Sequence, residues 1–111
     1  MSRVQIPPPR LPGRLPMHFV YILYSPGSDR FYVGETADPD QRLAHHRAGQ
    51  SRYTRRAADW VRVFLMSTPT QRDAKIVEQR IKRSKSRASI VRWIQGSDNR
   101  EESHTWKDFA W

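Results

Sequence analysis

Five side chains in this sequence have the chemistry to work on phosphate esters: Tyr21, Tyr32, Arg42, His46 and Glu78. Arg42 and His46 are four residues apart. On a helix that spacing puts them on one face, about 6 Å apart along the axis. An arginine can grip a phosphate through parallel N–H bonds, and an imidazole beside it can carry a proton near neutral pH. His45 points about 100° away on the same helix and is the weaker candidate. Glu78 is one of three acids between residues 59 and 95, and it stands among Arg80, Lys82, Arg83 and Lys85. A lone carboxylate in a basic field can hold a divalent cation that bridges to a phosphate. Each residue also has a plain structural reading. Tyr21 and Tyr32 are amphipathic aromatics that could simply fill a sheet. Arg42 and His46 could lie on a solvated helix face. Glu78 could only pair with Lys82, an i,i+4 contact worth a few tenths of a kcal/mol.

The elements that must position these groups are legible from pattern. Residues 18–24 (HFVYILY) are aromatic and β-branched and predict a strand buried on both faces. A turn cluster (SPGSD, 25–29) leads to a returning strand at 30–34 (RFYVG), so the two strands are antiparallel neighbours. Tyr21 and Tyr32 meet on one face if the register allows. Gly34, at the end of the second strand, marks a turn or a close backbone approach. Asp38 as cap, Pro39 at the first helical position and Asp40 behind it predict a helix that stops at Gly49, with Leu43 and Ala44 facing the core. Residues 60–66 (WVRVFLM) predict a third strand. Thr70 with Asp73 resembles a capping box, and Ala74, Val77 and Ile81 form an apolar helical stripe through residue 84. A third helix spans 86–95 and closes at Gly96. The order β-β-α-β-α-α predicts an α+β fold, a small sheet flanked by helices.

The chain has 111 residues, no cysteine, and 20 Lys+Arg against 11 Asp+Glu, for a net charge of +9. That length allows one domain. Disulfide scaffolds, thiolate zinc sites and cysteine nucleophiles are excluded. No apolar run approaches the roughly 20 residues of a membrane span, and prolines stand where a signal peptide would be apolar. The chain reads as a soluble cytoplasmic protein with no membrane partner. The charge is uneven. Residues 1–16 hold five prolines, three arginines and no acid, and read as a disordered arm; alternatively, Met17 is the start. Residues 17–40 carry one basic residue and four acids, whereas 41–95 carry fourteen basic residues and three acids. The domain is expected over 17–95, followed by a 96–111 tail with Trp106, Phe109 and Trp111. The basic stretches hold Arg47, Arg52, Tyr53, Arg55, Arg56, Lys82, Arg83 and Lys85, candidates for salt-sensitive contact with nucleic-acid phosphates. No phosphate-cradling glycine loop is present, and no small-molecule cofactor is expected.

In order, Val20-Tyr21-Ile22, Tyr32-Val33-Gly34, Arg42-Leu-Ala-His-His46-x-x-Gly49 and Ala74-x-x-x-Glu78-x-x-x-Lys82 resemble a GIY-YIG nuclease domain over about residues 17 to 90. Tyr53-Thr54-Arg55 and Trp60 are similar to its small, stand-alone bacterial branch. The first motif departs as Val-Tyr-Ile, and Ile90 stands where many members carry Asn. Glu35, after the second motif, is an extra acid that is either a supporting group or solvated. The resemblance implies a DNA endonuclease dependent on Mg²⁺ or Mn²⁺, serving repair, recombination or mobile-element processing. Tyr32 or Tyr21 would help deprotonate the attacking water, and His46 would assist by a hydrogen bond. Arg42 would stabilise the phosphoryl charge, and Glu78 would hold the metal. A tyrosine with its ordinary pKa near 10 is a poor base, so Arg42 and the metal are expected to favour its phenolate. The alternative is a non-catalytic nucleic-acid-binding module of the same fold. The aromatic tail allows two further readings: docking on a partner protein that sets substrate choice, or packing on its own domain.

Overall fold

The computed structural model describes residues 17–84 and 86–96. The arm at 1–16, Lys85 and the tail beyond Gly96 lie outside the described residues.

The run of aromatic and β-branched residues forms β1 (His18–Ser25), the centre of a three-stranded sheet in the order β2-β1-β3. β2 (Arg30–Thr36) and β3 (Val61–Thr68) both pair with it antiparallel. A central strand must be apolar on both faces, and β1 is buried throughout from Val20 to Ser25. Both edge strands run on past the ends their apolar cores suggest, to Thr36 and Thr68, because the ladder continues opposite Phe19 and His18. Val20, Ile22 and Tyr24 pack with Val33, Val63 and Phe64 beneath α2 (Gln71–Ser84) and α3 (Arg87–Gln95). Tyr21 and Leu23 point the other way, onto Leu43 of α1 (Pro39–Arg47) and Trp60. The architecture is α+β, with helices on both sides of one small sheet.

The helix boundaries follow from local chemistry. The Asp38 carboxylate accepts the Gln41 amide at 3.1 Å, and Pro39 opens α1. At the other end, Gly49 has φ +77, a region that L side chains avoid. Its amide reaches His46 O at 3.1 Å, and the Gln50 amide reaches His45 O at 3.0 Å. These two bonds make a Schellman stop. They turn the chain back beneath α1 into a short 3₁₀ turn, Thr54–Arg56. Thr70 Oγ1 accepts the Asp73 amide at 3.1 Å, and Ser86 Oγ accepts the Ser89 amide at 3.1 Å, starting α2 and α3. Ala44 is exposed rather than facing the core. On α1 the buried positions are Leu43 and His46, three apart and so on one face, while Ala44 rolls away from it.

The hairpin turn is braced from outside. Asp59 accepts Ser25 Oγ at 2.5 Å and the Gly27 amide at 2.8 Å, and these bonds hold its carboxyl below the usual carboxylate value. Asp29, at φ 56, accepts Tyr24 Oη at 2.7 Å and Arg87 at 2.6 Å.

Candidate active site

Strand register creates the site. Tyr21 is the cross-strand partner of Gly34, and Leu23 that of Tyr32, so the two tyrosines are diagonal neighbours on one face. Their ring centroids are 6.2 Å apart. Tyr21 lies across Gly34 so closely that a Cβ there would stand 2.5 Å from Oη. Gly34 is thus a close approach, one of the two readings its position in the strand allowed.

α1 lays His46 over this pair. His46 is fully buried, and both ring nitrogens have partners. Nε2 lies 2.9 Å from Tyr21 Oη, and Nδ1 lies 2.6 Å from Thr54 Oγ1. The His46 ring is 4.8 Å from that of Tyr32. Thr54 is itself locked: its carbonyl accepts the Trp60 indole N–H at 2.7 Å, and Trp60 O accepts Arg47 Nε at 2.9 Å. Arg47, a candidate phosphate contact, therefore also carries a structural bond. Thr54 and Trp60 have a positioning role that no sequence pattern assigned. The available signal was that Thr54 is the one uncharged, non-aromatic residue in RYTRR at 52–56.

The protonation states follow from burial and neighbours. Burial pushes Tyr21 up to about 12; Arg42 pulls against it, while Tyr32 and Glu78 add to the rise. Arg42, expected to favour a phenolate, is thus outweighed by desolvation, and Tyr21 rests as a neutral phenol. Burial, then the Arg42 charge, then His45 push His46 down to about 4, so its imidazole is neutral. Arg42 lies close enough to the Tyr21 hydroxyl to act on it and is held more firmly charged by it. Arginine can only donate, so the Tyr21 proton goes to His46 Nε2. We therefore assign the Nδ1–H tautomer, which donates to Thr54.

Glu78, on α2, is near enough for its charge to act on Tyr21. Its Oε2 pairs with Lys82 at 2.9 Å. The ion pair with Lys82 and the electrostatic reach to Tyr21 coexist. Among the described residues no three acidic or imidazole groups cluster to form a metal cage. A single carboxylate fits Mg²⁺, which prefers to keep its waters and take few protein ligands. Glu35 is not solvated: it meets His18 at 2.6 Å and Lys75 at 3.1 Å. Burial acts to raise its pKa, but Lys75 and His18 outweigh that and hold it below the usual value.

Of the basic candidates, Arg52, Arg55 and Arg56 are exposed on the loop that carries Thr54, beside half-exposed Tyr53. Tyr53 stacks on Tyr32 at 5.7 Å. Lys82 and Arg83 are exposed on the last turn of α2. No described helix is long and apolar enough to cross a membrane.

A family model described as the GIY-YIG catalytic domain matches residues 17–91. The solution NMR structure of a UPF0213 protein from Bacillus halodurans is similar, with a TM-score of 0.52 and 26% identity over 85% of this chain and 99% of that one. No curated protein gives a significant match. With the family model spanning the whole sheet and the helices that carry the site, the chain belongs to the GIY-YIG catalytic domain family.

Proposed function

We propose that this protein is a metal-dependent DNA endonuclease that hydrolyses phosphodiester bonds, selects its substrate by structure, and serves DNA repair or recombination. The observation that carries the reading is the buried line Tyr21–His46–Thr54, with Arg42 at its open end.

Arg42 grips the scissile phosphate and offsets the charge that grows on its oxygens. A bound phosphate also cancels part of the Arg42 field that depresses His46. Substrate binding thereby lifts part of that depression, while burial, its larger cause, stays in force. The attacking water gives its proton to Tyr21 Oη as Tyr21 passes its own to His46 Nε2. The water oxygen bonds to phosphorus, the P–O bond to the leaving strand breaks, and that oxygen is protonated from solvent. Thr54 keeps the accepting nitrogen of His46 turned to Tyr21. Tyr32, on the same face and less buried, is the second hydroxyl within reach of the water. Glu78 would hold Mg²⁺ or Mn²⁺, which when bound polarises the phosphate and leaving oxygens. Arg47, Arg52, Arg55, Arg56, Lys82 and Arg83 hold the strands by their phosphates, and Tyr53 offers its ring to an unpaired base.

Cleavage of branched and single-stranded DNA with Mg²⁺ tests this. Glu78→Ala and Arg42→Ala are expected to abolish cutting while binding persists. Variants that cut as fast as the parent would remove the assignment. Tyr21→Phe is expected to be slower than Tyr32→Phe; the reverse order moves the proton path to Tyr32.

A further inference from the structure

Beside the catalytic line, a cleft of about 320 Å³ opens along the outer edge of β2, lined by Phe31, Tyr32, Val33, Tyr53, Lys82 and Ile90. That is the small end of the range for ligand pockets, about 300–1,000 Å³. Its walls are apolar or aromatic apart from two phenol hydroxyls and the Lys82 ammonium.

Core packing does not explain Tyr53. It is 48% exposed, yet its ring is held 5.7 Å from Tyr32 at a tilt of 33°. A ring supported on one face and open on the other is a platform for another planar ring. Lys82 lines the same cleft while its ammonium sits 2.9 Å from Glu78. One cation therefore joins the cleft to the place where the phosphate and metal are expected. A planar aromatic ring covalently tied to an anion matches this layout, and a nucleotide is that chemistry.

We propose that the cleft seats one unpaired nucleobase of the strand whose phosphate lies at Arg42 and Glu78. The proposal rests on the nucleic-acid reading of the site and adds its selectivity. A base inside a duplex has both faces covered by its neighbours and cannot lie on Tyr53. It must be single-stranded, at a junction, or turned out of the stack. Ile90 and Val33 supply the dry walls, and with polar groups confined to two hydroxyls and one ammonium the cleft tolerates different bases.

The test uses the intact protein in EDTA, so that no cleavage intervenes. Affinities are measured for a thymine-rich single strand and for a blunt duplex, with the parent, Tyr53→Ala and Tyr53→Phe. Tyr53→Ala is expected to weaken single-strand binding roughly 5- to 150-fold, the range for one base–aromatic stack. Tyr53→Phe and all duplex affinities should stay within about twofold. Strands carrying 5-iodouracil should photocross-link to Tyr53 or Tyr32, which places the base even if Tyr53→Ala were to fold poorly. Equal losses on both DNAs, no loss, or cross-links elsewhere would overturn the proposal. A protein that binds and cross-links this way but cuts nothing with any metal keeps the cleft and loses the nuclease. One that cuts with no Tyr53 effect does the opposite.

Discussion

Replacing Gly34 by alanine probes the close approach on which the site is built. Its Cβ would stand 2.5 Å from Oη, 2.7 Å from Cζ and 3.1 Å from Cε1 of Tyr21. Ordinary contact begins near 3.4 Å, so the ring must retreat by about 0.9 Å or the strands must part. Neither is easy. Tyr21 is 2% exposed, and its hydroxyl is tied to His46 at 2.9 Å. Overpacking a core costs roughly 1–3 kcal/mol, and losing a buried hydrogen bond adds roughly 1–2 kcal/mol. Gly34→Ala should therefore destabilise the domain by roughly 2–5 kcal/mol, a Tm drop on the order of 10–40 °C for a domain of this size. Urea and thermal unfolding read it directly. Tyr21→Phe removes both the nearest atom and the tether, so the ring can yield. In that background Gly34→Ala should cost at least about 1 kcal/mol less, a coupling that a double-mutant cycle resolves. A Gly34→Ala protein within about 0.5 kcal/mol of the parent would refute the argument. An equal cost in both backgrounds would do the same.

Three further outcomes follow from the same contacts. His46 is held near 4 in the folded chain against 6.5 in the unfolded one. Its contribution to stability, about 3 kcal/mol, is fully present above pH 6.5 and is lost as pH falls through 4. Acid unfolding monitored by circular dichroism should show this limb, and His46→Gln should flatten it. Thr54→Val keeps the volume but leaves His46 Nδ1–H without its acceptor. It should cost roughly 1–3 kcal/mol and slow cleavage at unchanged DNA affinity, as seen by unfolding and single-turnover assays. Asp59→Ala releases Ser25 and Gly27 from the hairpin turn and should cost roughly 1–2 kcal/mol. Hydrogen exchange should show faster opening at residues 25–30, with the His46 titration unchanged.

Most of the fold was legible because the punctuation was chemical. Asp38–Pro39, Thr70 with Asp73, and Ser86 start helices through side-chain bonds that any sequence reader can anticipate. The site was less legible. A strand buried on both faces shows no alternation, so nothing in HFVYILY says which way Tyr21 points. Only the pairing of Tyr21 with Gly34 decides that. The helix PDQRLAHHR has almost no apolar stripe, which hid the burial of His46 and suggested Ala44 instead. Thr54 lies among charged and aromatic neighbours in a loop, where burial has no period to reveal it. A register shift in β3 at Ile22/Leu23 sets Val63 and Phe64 consecutively into the core, against the two-residue alternation of a regular strand.

The measurement closest to the central claim is a cleavage assay of the intact protein on branched, single-stranded and duplex DNA with Mg²⁺, Mn²⁺ or EDTA, run beside Glu78→Gln. Cutting is expected to require the divalent ion, to favour DNA with unpaired nucleotides, and to disappear in Glu78→Gln while binding remains. Binding without turnover under every metal would contradict it and leave a nucleic-acid-binding module of the same fold. Cleavage that survives in EDTA or in Glu78→Gln would contradict the role given to that carboxylate.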